Sequence, residues 1–202
     1  MRVDELAVRD AFAFTPDTFP DHRGMFAAPF QDAVFRQTRG HALTVAQTNH
    51  SVSRRGTIRG IHFADTPPGQ AKYVYCPRGA LLDVIVDLRV GSPTFGQWDT
   101  VRLDAQHCRA VYIAEGLGHA FVALDEDTTM TYLCSTPYNP PAEHAVNAFD
   151  TELALPWPAD MTPITSERDA AAPTLATARA AGMLPDYTGC LEHYARLRTL
   201  AQ

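Results

Sequence analysis

The chain has 202 residues, 46% hydrophobic and 20% charged, a composition that fits one ordinary globular domain and not a disordered segment. Lys plus Arg is 17 and Asp plus Glu is 23, and the resulting net charge of −6 disfavours general nucleic-acid binding, which needs a basic field. No apolar run approaches the ~20 residues of a membrane helix, and the opening MRVDELAVRD carries acids where a signal peptide needs an apolar stretch, so neither membrane insertion nor secretion is expected.

Fifteen prolines and twelve glycines cut the chain into short pieces. In chain order the strand candidates are LTVAQTNH (43–50), GTIRGIHF (56–63), AKYVYC (71–76), GALLDVIVDLRV (79–90), AVYIA (110–114), HAFVAL (119–124) and TTMTYLCS (128–135). In the fourth, Leu82, Val84, Val86 and Leu88 fall on one face, and Asp83, Asp87 and Arg89 on the other. PPG (67–69), PRG (77–79), GSPTFG (91–96) and EGLG (115–118) are turn signals between them. Closely spaced short strands predict an all-β sandwich or barrel, and a double-sheet jelly roll is the expected form. TLATARAAGM (174–183) and CLEHYARLRTL (190–200) then read as short C-terminal helices. The expectation is a single domain over residues 1–202, with a β core at about 20–160 and a helical tail at about 170–202.

The cysteines Cys76, Cys108, Cys134 and Cys190 form no CxxC pair, which argues against structural zinc. Four cysteines in a chain this long also make a disulfide framework unlikely, so reduced thiols in a cytoplasmic protein are expected. Cys76 and Cys134 lie in apolar runs and read as small core residues.

Polar residues inside strand patterns carry the functional signal. Gln47 and Asn49 share a face. Arg59 and His62 differ in parity, but Gly60 between them could form a bulge that returns both to one side. Lys72 opens a strand, His119 follows a Gly-rich turn and Tyr132 lies mid-strand. Each alone has a plainer reading, as a satisfied structural histidine, a half-buried aromatic or a surface arginine. A jelly roll, however, collects inward-facing residues from many strands in one cavity.

DHRGMF (21–26), AQTNHSVSRRGTIRGIHF (46–63), GQAKYVYCPRGALLDVIVDLRVGSPTFGQW (69–98), GLGHAF (116–121), YLCSTPYNPPAEH (132–144) and SERD (166–169) together resemble the dTDP-4-dehydrorhamnose 3,5-epimerase family. The resemblance runs from about residue 10 to 187, and its texture is closest to the branch that makes deoxysugars for glycosylated antibiotics. It implies a cupin-type jelly roll, a homodimer, no metal or cofactor, and a dTDP-4-keto-6-deoxyhexose substrate. Protons on carbons 3 and 5 of that sugar are acidic because the carbanion delocalises into the carbon 4 ketone. Inversion needs a base on one face, an acid on the other, and donors at the developing oxyanion. The resemblance assigns His62 as base, Tyr132 as acid, Asp169 as the carboxylate holding His62, and Lys72 as support for the enolate oxygen. It places Arg23 and Arg59 on the diphosphate, whose oxygens suit the guanidinium fork. Gln47, Asn49, His119, Glu143 and Arg168 fall on ligand-binding positions, and Tyr138 on a position for stacking with thymine. Two positions depart from the family pattern. Ala28 stands where the family usually has Glu, and Arg168 where it usually has Lys.

Two other classes compete with this reading. A cupin metalloenzyme needs several converging His and carboxylate ligands. The chain has no HxH pair, because Ile61 and Phe63 flank His62. A non-catalytic nucleotide-sugar binder would keep Arg23, Arg59 and Gln47 without needing both His62 and Tyr132. Within the epimerase reading, inversion at carbon 3 alone, at carbon 5 alone or at both stays open.

Overall fold

Alternating apolar and polar residues build two antiparallel sheets in the computed structural model, which describes residues 1–200. One sheet has six strands, in spatial order β1 (Arg2–Glu5), β2 (Ala11–Thr15), β10 (Ala110–Ile113), β7 (Lys72–Arg78), β12 (Thr128–Cys134) and β5 (Gln47–Ser53). The other has five: β13 (Glu143–Ala145), β6 (Ile58–Ala64), β11 (Leu117–Ala123), β8 (Ala80–Asp87) and β9 (Trp98–Asp104). Apart from β1–β2 and β8–β9, neighbours in both sheets are non-consecutive in the chain, as in a cupin-like jelly roll. A separate hairpin joins β3 (Thr18–Asp21) to β4 (Gly24–Ala27). Four helices complete the chain: α1 (Asp32–Arg39), α2 (Glu167–Ala170), α3 (Leu175–Ala180) and α4 (Tyr187–Thr199).

All seven strand candidates form, though the first begins at Gln47 rather than residue 43. The sheet also starts well before residue 20, because β1 and β2 belong to its edge. Both tail helices form, at Leu175–Ala180 and Tyr187–Thr199. Side chains at their N-termini cap them, Thr174 accepting from the Thr177 N–H and Asp186 from the Gly189 N–H. The expected tail to residue 202 runs two residues past the described chain.

Asp83, Asp87 and Arg89 do not face solvent as a polar strand face normally does: all three are completely buried. Both faces of β8 are covered. Leu81 and Ile85 join the larger core, and Val84, Val86 and Leu88 join a second core. That second core is closed by Val146, Ala148, Leu153, Leu155, Leu175 and Ala178 from the segments after β13. Buried charge then demands partners. Arg89 makes two hydrogen bonds to the Asp87 carboxylate and one each to Asp10, the Tyr194 hydroxyl and the Arg9 carbonyl, so it ties the sheet to α4 and the N-terminal loop.

Candidate active site

A bulge in β6 creates the site. His62 pairs with His119 of β11, whereas Arg59 pairs with Phe121, so three steps on β6 oppose two on β11. Gly60 makes this possible. Its φ of +108° suits only glycine, and a Cβ there would collide with the backbone of His119 and Ala120. Arg59 and His62 therefore both reach one cavity of about 260 Å³ between the sheets. Its walls include His62 and His119 from the five-stranded sheet and Asn49, Lys72 and Tyr132 from the six-stranded one.

Two histidine–carboxylate pairs stand here. His62 Nε2 lies 2.7 Å from Asp169 Oδ1, and Oδ2 of the same carboxylate accepts from the Gly60 N–H at 3.3 Å. A carboxylate only accepts, so Nε2 carries the hydrogen and Nδ1 of the neutral ring is the basic atom. Asp169 is buried, which disfavours its charge, but the His62 hydrogen bond and charge, the Gly60 N–H and the Ser166 contact outweigh burial and hold its pKa below the usual carboxylate range. His119 Nε2 lies 2.6 Å from Asp83 Oδ1, both groups buried. Burial pushes the His119 pKa down against the pull of Asp83, and Lys72 and His62 push it further.

Burial also lowers the Lys72 pKa, opposed chiefly by Glu143. It raises the Tyr132 pKa, so the phenol stays protonated. The His119 and Tyr132 rings meet edge to face with centroids 6.0 Å apart. The cavity thus holds an imidazole bound to a carboxylate, a protonated phenol from the facing sheet, and a lysine.

Of the other expected residues, Asn49, Arg59, Tyr138, Glu143 and Arg168 line the same cavity. Gln47 sits at its margin, donating to Asn49 Oδ1 at 2.6 Å and accepting from the Tyr138 N–H at 2.9 Å. Arg168 donates to the Glu143 carbonyl at 3.0 Å. Arg23 is different. It projects from the β3–β4 hairpin, pairs with Asp21 and lines a separate hollow, so this chain does not bring its own Arg23 to the cavity. The hairpin belongs to neither main sheet, which is why strand position alone could not locate it.

Ser51, His50, Gln70 and Phe121 also line the cavity and were not foreseen. Ser51 had a signal, since it shares parity with Gln47 and Asn49. Asp83 had none, because a buried aspartate and a solvent-facing one look alike in an alternating strand.

The model of the family described as dTDP-4-dehydrorhamnose 3,5-epimerase matches residues 5–177. A dTDP-4-dehydrorhamnose 3,5-epimerase of Mycolicibacterium smegmatis is 52% identical over 198 residues, covering 98% of each chain. The crystal structure of ChmJ, a 3'-monoepimerase from Streptomyces bikiniensis in complex with dTDP-quinovose, superposes with a TM-score of 0.94 at 49% identity, covering 96% of this chain and 98% of that one. NovW, a 4-keto-6-deoxy sugar epimerase from the novobiocin biosynthetic gene cluster of Streptomyces spheroides, gives 0.92 at 50% identity, covering 94% and 95%.

Proposed function

This chain belongs to the dTDP-4-dehydrorhamnose 3,5-epimerase family, and on that premise we propose that it inverts carbon 3, carbon 5 or both in a dTDP-4-keto-6-deoxyhexose. The observation that carries the mechanism is the pairing of a carboxylate-held imidazole on one sheet with a protonated phenol on the other, across one cavity. His62 Nδ1 takes the proton alpha to the ketone, and the electron pair moves into the carbonyl to form an enolate. Asp169 balances the imidazolium that results. Lys72 donates to the enolate oxygen. Tyr132 then returns a proton from the opposite face, and the carbon is inverted.

Arg59 and Arg168 hold the diphosphate, and Gln47, Asn49, His119 and Glu143 orient nucleotide and sugar. Tyr138, half exposed at the rim, stacks on the base. Likeness to the antibiotic-cluster enzymes supports a place in deoxysugar biosynthesis for a glycosylated natural product. The protein works as a cytoplasmic homodimer. Four free cysteines fit a reducing compartment. The hairpin supports the dimer: Phe19, Met25 and Phe26 are exposed on it beside Arg23, a surface suited to a second copy and able to carry Arg23 to the partner's diphosphate.

Incubation with dTDP-4-keto-6-deoxyglucose in deuterium oxide tests the reading. Label enters at each carbon that is deprotonated, which also reads out the regiochemistry. His62→Ala should abolish incorporation. A loss of only a few-fold would assign the base to another group.

A further inference from the structure

The acid proposed above needs help that the cavity supplies from the edge strand. Tyr132 is shielded from solvent, and donating its proton leaves a phenolate there, a charge that burial opposes. β5 pairs with β12 in a register that sets Asn49 opposite Tyr132. Ser51 is two residues along the same face, in the diagonal position whose side chain reaches an aromatic neighbour. Ser51 lines the cavity with Tyr132. Its Oγ is buried and makes no well-formed hydrogen bond, yet it stands near enough to Tyr132 to favour the phenolate. A buried hydroxyl without a partner costs stability unless something uses it. The neighbouring hydroxyls are occupied differently, since Ser53 Oγ accepts from Arg59 Nε at 3.2 Å.

We propose that Ser51 is a positioning residue for Tyr132, its hydroxyl donating to the phenolic oxygen during proton return. This rests on the acid role proposed for Tyr132. In the step, the Tyr132 O–H bond breaks and a C–H bond forms with the enolate electron pair. The negative charge passes from the enolate to the phenolate. Rotation about Cα–Cβ turns the Ser51 O–H onto that oxygen, where the hydrogen bond stabilises the charge. It also fixes which lone pair, and so which direction, the phenol presents to the substrate. Afterwards the phenolate regains a proton from water, and the His62 imidazolium releases one to it. The contact with Ser51 already favours the phenolate against burial, in keeping with this role.

The test compares Ser51→Ala, Tyr132→Phe and the double variant in deuterium oxide, following exchange and inversion separately. Exchange needs only the base and the enolate. Ser51→Ala should therefore keep exchange near the wild-type rate and lower inversion about ten- to a hundredfold, the loss of one hydrogen bond to a charged group. The double variant should invert no more slowly than Tyr132→Phe alone, because Ser51 acts only through the phenol. Ser51→Thr keeps the hydroxyl and should restore most of the inversion rate. Equal loss of exchange and inversion in Ser51→Ala, unchanged inversion, or additive losses in the double variant would each overturn the role. If Tyr132→Phe itself inverts at the wild-type rate, the acid assignment fails and this inference falls with it. If Tyr132→Phe is impaired and Ser51→Ala is not, only the inference on Ser51 fails.

Discussion

Asp169→Asn isolates the charge of the carboxylate behind the proposed base. The substitution keeps the shape of a buried side chain that lies 2.7 Å from His62 Nε2 and accepts from the Gly60 N–H. An asparagine Oδ1 can still accept from His62 Nε2, so the ring stays in place, while its NH2 takes the position of Oδ2 and gives up the longer contact from the Gly60 N–H. What disappears is the negative charge that faces the imidazolium when His62 has taken a proton. Charge assistance adds about 1–2 kcal/mol to a hydrogen bond, which corresponds to about a 5- to 30-fold slower proton abstraction. If the amide instead presents its NH2 group to the ring, His62 must carry its hydrogen on Nδ1, the basic atom is blocked, and the loss approaches the whole contribution of a general base, about 10²–10⁴-fold. Deuterium incorporation into substrate, followed by NMR, measures this step directly. Affinity for dTDP, measured by calorimetry, should not change, since the proposed diphosphate contacts are those of Arg59 and Arg168. An unchanged exchange rate would refute the coupling between Asp169 and His62. A loss confined to dTDP binding would show that the carboxylate shapes the cavity and not the base.

Asp169 should also leave a mark on stability. Its pKa is lowered on folding, so the unfolded state binds more protons and the contribution is present above the ordinary carboxylate range. In urea unfolding, the difference between wild type and Asp169→Asn should hold steady above pH ~5 and shrink as pH falls below ~4; a difference that grows towards acid would contradict the shift. Arg59→Ala should weaken dTDP binding by about 1.5–3 kcal/mol through loss of a charge-assisted donor, and an unchanged dissociation constant would remove Arg59 from the diphosphate site. Arg89→Met should destabilise the fold by about 3–5 kcal/mol in urea unfolding, because it leaves buried Asp87 without its counter-charge; a loss under 1 kcal/mol would show that Ser92 and Thr94 suffice for that carboxylate. Light scattering at micromolar protein should give twice the chain mass, and Phe26→Asp on the exposed hairpin should lower it, whereas a monomeric wild type would refute the dimer.

Periodicity alone located all seven of the expected strands, because a half-buried strand must alternate and turn residues must interrupt it. It missed β9, where Asp99, Arg102 and Asp104 dilute the pattern of an edge strand. It also missed β1 and β2, whose short length gives alternation little room to show. The parity conflict between Arg59 and His62, with Gly60 between them, suggested a bulge, and the φ of Gly60 is positive where it forms. Resemblance of separated motifs then brought His62, Lys72, His119 and Tyr132 into one expected site, and they share one cavity. Tertiary structure alone decided the rest. Whether Asp83 and Asp87 face water or protein depends on what covers their face of β8, and Leu81 and Ile85 on that face pack into the core shared with the six-stranded sheet. Burial on that face makes Asp83 a partner of His119, and Asp87 forms a buried ion pair with Arg89, which Asp10 and, from α4, Tyr194 also hold. Arg23 lies outside this chain's own cavity for a similar reason: its position depends on a hairpin outside both main sheets, and no strand pattern specifies where such a hairpin points. Local sequence sets the alternation of a strand, whereas burial is set by whichever segment packs across it, and that segment lies far away in the chain.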